Sequence, residues 1–82
     1  MPIDYARLRN INTRELIRAL HRDGFELRRQ RGSHRRYVHG DGRKVTVPYH
    51  KPSGTFHPKT LSSIIEEQAM WTDEDLVRLR LL

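Results

Sequence analysis

Nine consecutive residues, Arg28-Arg29-Gln30-Arg31-Gly32-Ser33-His34-Arg35-Arg36, hold five arginines, one histidine and no acid. Guanidinium groups present a planar fork that fits phosphate oxygens, so the run suits a polyanion. His34 is the one side chain within it that takes up and releases a proton near neutral pH. Gly32 and Ser33 just before it read as a turn that presents the ring instead of burying it. Anion grip beside proton transfer is the equipment for breaking an RNA phosphodiester by internal attack. That reaction needs a base for the 2′-hydroxyl, an acid for the departing oxygen, and cations for the charge that builds on phosphorus.

Each residue of this group has a plainer alternative. On these residues alone His34 reads more readily as a surface histidine beginning a strand, and Arg28, Arg29, Arg31, Arg35 and Arg36 as a solvated face. Gly32 lets backbone approach a ligand closely, and Ser33 is suited to orient the ring or to bond a phosphate oxygen. His50, between Tyr49 and Lys51, is a candidate for a second acid or base, with a plain loop histidine as its alternative; Lys51 adds a cation. Tyr37 and Tyr49 are of the type that stacks on bases, though tyrosine in a sheet more often packs. His21, His39 and His57 have no spacing that suggests a shared metal, and Asp4, Asp23 and Asp41 form no magnesium-binding pair. The expectation is chemistry with no cofactor and no metal.

The elements around these residues follow from pattern. Asn12 and Glu15 form a capping-box signature. Leu16, Ile17, Ala19 and Leu20 make an apolar stripe, with Arg14, Arg18 and Arg22 opposite, and Gly24 is a stop signal. The spacing predicts a helix over 13–23. Phe25 to Gln30 alternates as a strand with Phe25 and Leu27 inward. Arg35 to His39 reads as a second strand, Gly40-Asp41-Gly42 as a hairpin turn, and Lys44 to Val47 as a third strand ended by Pro48. The segment from Tyr49 to Pro58 is a loop long enough to be functional or mobile. A second helix starts near Pro58, with Leu61, Ile64, Ile65 and Gln68 inward. Trp71 reads as a packing anchor, and Thr72 with Asp75 caps a short terminal helix. One parity question stands: an unbroken second strand puts His34 on the face of Val38, which reads as a core position, unless a bulge or a late strand start frees it.

The chain has 82 residues and a formal net charge of +6. That length allows one domain, 1–82, with a core over about 12–70 and a helical tail over 71–82. Residues 1–51 carry 13 Lys and Arg against 5 Asp and Glu, while residues 52–82 carry 3 against 5. The basic part therefore holds the expected nucleic-acid face. There is no cysteine, hence no disulfide framework and no thiolate zinc site. No segment reads as a signal peptide or a membrane span, so the expected setting is the cytoplasm.

Five blocks together resemble a known family: Thr13-Arg14-Glu15-Leu16-Ile17-Arg18-Ala19-Leu20, Asp23-Gly24-Phe25, Arg31-Gly32-Ser33-His34, Val45-Thr46-Val47-Pro48-Tyr49-His50 and Thr60-Leu61-Ser62-Ser63-Ile64. In order and spacing they are similar to the HicA toxins, small mRNA interferases of bacterial toxin–antitoxin pairs. The resemblance covers nearly all of residues 12–68. It implies an α+β fold like a double-stranded-RNA-binding domain, in αβββα order, with a three-stranded antiparallel sheet and helices on one face. It also implies metal-independent cleavage of mRNA with His34, in the Gly-Ser-His block, as the catalytic histidine. The implied partner is a HicB-type antitoxin, and a homo-oligomer within the toxin–antitoxin complex is compatible with it. No role passes to His50 by this route. Two other readings stay open on the residues: a non-catalytic RNA-binding module of the same fold, and an adaptor that uses Leu76 to Leu82 to hold a protein.

Overall fold

Where the strands alternate and where their turns fall decides which of these side chains share a face. The computed structural model describes residues 3–82. A four-residue helix α1 (Tyr5–Leu8), which the sequence pattern does not announce, precedes helix α2 (Thr13–Asp23). The Asn12 side chain accepts from the Glu15 N–H at 2.8 Å and the Glu15 carboxylate accepts from the Asn12 N–H at 3.2 Å. This reciprocal cap satisfies orphan donors at the start of α2. Leu16, Ala19 and Leu20 are buried, and Arg14, Arg18 and Arg22 are exposed. Gly24 ends the helix at φ 105°, a left-handed cap that glycine adopts readily.

Strands β1 (Phe25–Arg31), β2 (His34–His39) and β3 (Lys44–Pro48) form an antiparallel meander in that spatial order. Its inner face contributes Phe25, Tyr37, Val45 and Val47, which pack with Leu16, Leu20, Leu61, Ile64, Ile65 and Trp71 in one core. Each such fully buried side chain stabilises the fold by about 1.5–3 kcal/mol. With α2 before the sheet and helix α3 (Pro58–Ser62) after it, this is the αβββα, double-stranded-RNA-binding-domain-like α+β arrangement.

Two inward assignments change. Leu27 shares a register side with Phe25 but lies on an edge strand that the helices leave partly uncovered, and it stays 43% exposed. The core residue of β2 is Tyr37, not Val38; the bulkier ring is buried beneath His21, whose ring meets it edge-on at 5.7 Å, and Val38 is only half-buried.

The segment after α3 widens into a π-helical turn, Ser63–Gln68, whose wider hydrogen bonding ends with the Ala69 N–H on the Ile64 carbonyl five residues back. Gln68 uses this position to bind the free side of β3. Its side-chain oxygen accepts from the Thr46 N–H at 2.8 Å, and its amide nitrogen donates to Ser63 Oγ at 3.1 Å. That edge of the sheet is thereby closed to a further strand. The loop after β3 is held as well. The Gly54 carbonyl accepts from the Thr13 N–H at 2.8 Å and the Pro52 carbonyl from the Arg14 N–H at 3.1 Å, two first-turn amides of α2 that have no partner inside the helix.

Helix α4 (Asp73–Arg78) starts with a second capping box, Thr72 with Asp75. Leu76 and Leu79 are buried in the common core, so the tail is part of it. Trp71 donates its indole N–H to Asp23 at 2.9 Å. Asp23 also meets Arg78 at 2.9 Å and Arg43 at 3.1 Å, and Arg43 reaches Asp41 at 2.7 Å and the Ala69 carbonyl at 2.5 Å. Burial pushes the Asp23 carboxyl up, but the Trp71 N–H, Arg78 and Arg43 outweigh it, and its pKa lies below the ordinary carboxylate value. This cluster ties the end of α2, the β2–β3 turn, the end of the π-helical turn and α4 to one carboxylate.

Candidate functional site

Arg31 and His34 are a cross-strand pair, and Gly32 and Ser33 are the whole of the turn between them. Gly32 has φ 58°, and Ser33 is not among the positive-φ residues, so the turn is of the II′ kind that matches strand twist and puts glycine first. The Ser33 carbonyl accepts from the Tyr49 N–H, which fixes this tip to the strand end beyond Pro48. Ser33 therefore acts through its backbone; among the described residues no hydrogen bond joins its hydroxyl to the imidazole.

Parity then sorts the basic run. Tyr37 points into the core, so His34, Arg36 and Val38 point out of β2 on the opposite, uncovered face. No bulge in β2 is required for this. The irregularity is in β1: Leu27 pairs with Tyr37, yet Arg29 pairs with Arg36, and Arg28 is the extra residue between. A bulge residue shifts the phase of everything after it. Counted from Phe25 without the bulge, Arg29 and Arg31 would face the core. With it they face outward beside His34.

The outer face thus carries two adjacent cross-strand rows, Arg31–His34–Pro48 and Arg29–Arg36–Thr46. Side chains directly opposite in such rows are about 5 Å apart at Cβ. Arg29, Arg31, His34, Arg36 and Thr46 line a shallow cleft of about 350 Å³. His34 is exposed. Among the described residues, no carboxylate lies within 4.0 Å of Arg29, Arg31 or Arg36. Their charge is left for an outside anion.

The other residues of the basic run go elsewhere. Arg28, at the bulge, is exposed and 4.0 Å from Glu26. Arg35 points to the opposite side of the sheet, half-buried, with its guanidinium 3.7 Å from the centroid of the Tyr49 ring and its Nε buried without a partner. His50 and Lys51 are exposed on the loop after β3 and do not line the cleft. Tyr37 is core and Tyr49 is covered by Arg35, so neither stands in the cleft as a platform for a base. Thr46 belongs to the site and sequence reasoning passed it over. The signal was there in Val45-Thr46-Val47: if both valines are buried, the threonine must face the other way.

The model of the family described as the HicA toxin of bacterial toxin-antitoxin matches residues 13–70. The chain belongs to the HicA toxin family. The matched stretch runs from the first residue of α2 to Met70, two residues past the π-helical turn, so it contains the whole meander and the cleft. HicA toxins work with antitoxins, and this chain is accordingly the toxin side of such a pair. Among curated proteins, the chain matches none. Among the described residues, no helix of this HicA toxin is long and apolar enough to cross a membrane.

Proposed function

We propose that this HicA toxin is an endoribonuclease that cleaves mRNA in the cytoplasm, with His34 as its proton-transfer group, and that a HicB-type antitoxin neutralises it. The observation that carries the reading is the meeting of one exposed imidazole with three unpaired guanidiniums in a single cleft. The ribose 2′-hydroxyl attacks the adjacent phosphorus, the bond to the 5′-oxygen breaks, and a 2′,3′-cyclic phosphate and a free 5′-hydroxyl result. His34 takes the 2′-hydroxyl proton or delivers one to the leaving oxygen. Arg29, Arg31 and Arg36 hold the phosphate and stabilise its added negative charge in the transition state. The mechanism so written asks nothing of a metal ion.

The test is cleavage of an mRNA fragment in EDTA by the wild type, His34→Ala and His50→Ala. Loss of general acid–base catalysis lowers the rate by about 10²–10⁴, and that is the expected result for His34→Ala. His50 stands outside the cleft, so His50→Ala is expected to change the rate by less than about tenfold. Equal cleavage by wild type and His34→Ala would remove the assignment. RNA binding without cleavage by the wild type would instead favour the non-catalytic RNA-binding module, a reading that draws on His34 being, among the described residues, the one imidazole or carboxyl group lining the cleft.

A further inference from the structure

Three arginines that take no part in the sheet face repeat every four residues along α2: Arg14, Arg18 and Arg22. Four helical residues advance about 6 Å, a step comparable to that between neighbouring phosphates of a nucleic-acid strand. Where the last two meet the C-terminal segment they line a cleft of about 140 Å³ with Glu15, Arg80 and Leu81. Glu15 is its one carboxylate, and Glu15 is already engaged by the Asn12 N–H. Among the described residues, no carboxylate lies within 4.0 Å of Arg18, Arg22 or Arg80.

The cleft is built, not merely charged. Arg22 donates from Nη1 to the Leu79 carbonyl at 3.1 Å, which fixes its guanidinium. Arg80 closes α4 in a Schellman arrangement: the Leu81 N–H reaches the Leu76 carbonyl at 2.8 Å and the Arg80 N–H the Val77 carbonyl at 3.1 Å. The residue in this position is left-handed and is usually glycine, yet here it is arginine at φ 64°. The strain is retained, and the side chain it carries stands in the cleft.

We propose that the Arg18–Arg22–Arg80 cleft is a second phosphate-binding site that holds the backbone of the RNA substrate away from the point of cleavage. The proposal rests on the reading that this toxin acts on RNA. The cleft belongs to the helix layer, on the far side of the fold from the His34 face, and the molecule is 18 Å across in its thinnest direction. A strand long enough to pass round an edge meets both sites, and a very short one meets only the first. An acidic protein surface is the weaker match. Protein interfaces bury an apolar centre, whereas nucleic-acid interfaces are polar and cationic, as this lining is apart from Leu81 and the capping Glu15.

The experiment measures fluorescence anisotropy of labelled single-stranded RNAs of about five and about thirty nucleotides on the His34→Ala chain, which leaves the RNA intact. Arg18→Gln/Arg80→Gln is expected to weaken the long RNA several-fold and to lower its log–log salt slope by about 1.4, two contacts at about 0.7 each. The short RNA is expected to bind unchanged. Arg80→Gly separates binding from folding: it relieves the left-handed strain, so its Tm rises while the long RNA still binds more weakly. Unchanged long-RNA affinity in both variants, each folded by circular dichroism, overturns the site. So does unchanged RNA affinity with weakened binding of the co-expressed antitoxin, which gives the cleft to the protein partner. If the wild type neither binds nor cleaves RNA, the underlying reading fails and this site fails with it.

Discussion

Arg35 and Arg36 are neighbours in the chain with the same side chain, and the sheet sends them to opposite faces. Their removal should therefore have different consequences. Arg36 pairs with Arg29 and Thr46 on the outer face and, among the described residues, has no carboxylate within 4.0 Å. If it neutralises one phosphate of a single strand, Arg36→Gln lowers the slope of log K against log salt by about 0.7. Between 50 and 200 mM salt this is about a threefold smaller loss of affinity, and the triple change at Arg29, Arg31 and Arg36 accumulates to roughly twentyfold. Arg35→Gln should leave the slope unchanged. Its effect belongs to folding, where loss of the stack on Tyr49 costs about 0.5–1 kcal/mol. Glutamine puts an amide atom where the unpartnered Nε sits, so that position stays polar, no gain offsets the lost stack, and net stability falls by no more than about 1 kcal/mol. RNA affinity measured from low to moderate salt on the His34→Ala background reads both effects, with urea unfolding as the control. An Arg35→Gln slope reduced as much as that of Arg36→Gln would refute the assignment of faces, and with it the cleft.

Other consequences concern the frame that holds the cleft. Arg43→Ala leaves Asp23, whose side chain is 9% exposed, with Arg78 as its remaining guanidinium and strips the Ala69 carbonyl of its donor. Arg78 keeps the carboxylate paired, which holds the loss to about 2–3 kcal/mol, and thermal unfolding should show a fall of about 10–20 °C. Asp23 and Asp75 are both held below the usual carboxylate range, the latter chiefly by the Thr72 backbone N–H. Their contribution is present above the unfolded value of about pH 4 and is lost as pH falls through their lower folded values. Urea midpoints taken downward from pH 5 should drop steeply for wild type, and more gently for Asp23→Asn. Gly24→Ala puts a methyl 2.9 Å from His39 Nε2 at a φ of 105°, and that ring nitrogen donates to the Asp23 carbonyl at 2.6 Å. Backbone strain and the displaced ring together cost about 2–3 kcal/mol; a loss under 0.5 kcal/mol in urea unfolding (about the noise of a surface change) would refute both the strain at this φ and the clash with the ring.

What the sequence made legible was whatever depends on near neighbours. Asn12 with Glu15, Gly24, Gly32-Ser33 and Thr72 with Asp75 are local hydrogen-bonding devices, and each appears where its residue types put it. The π-helical turn was not legible, because Leu61, Ile64 and Ile65 fit either hydrogen-bond spacing, and the contact made from the wider turn, Gln68 on the Thr46 amide, is distant in sequence. The candidate site was partly legible for a similar reason. Composition placed arginines and a histidine together in sequence but could not say which share a face, since that depends on a running parity along two strands. A residue added in β1 reverses the parity of all that follow it, and no local signal distinguishes Arg28 as that residue among its arginine neighbours. The core settles the matter from a distance: Phe25 and Tyr37 must both be buried, as must Val45 and Val47, and the turn at Gly32-Ser33 fixes Arg31 opposite His34. With seven β1 residues, 25 to 31, opposite six in β2, one residue of β1 has to go unpaired. The bulge is thus what permits an apolar start of the strand to face the core while its basic end faces solvent, and the grouping of Arg29 and Arg31 with His34 is as much a result of where Phe25 packs as of their own chemistry.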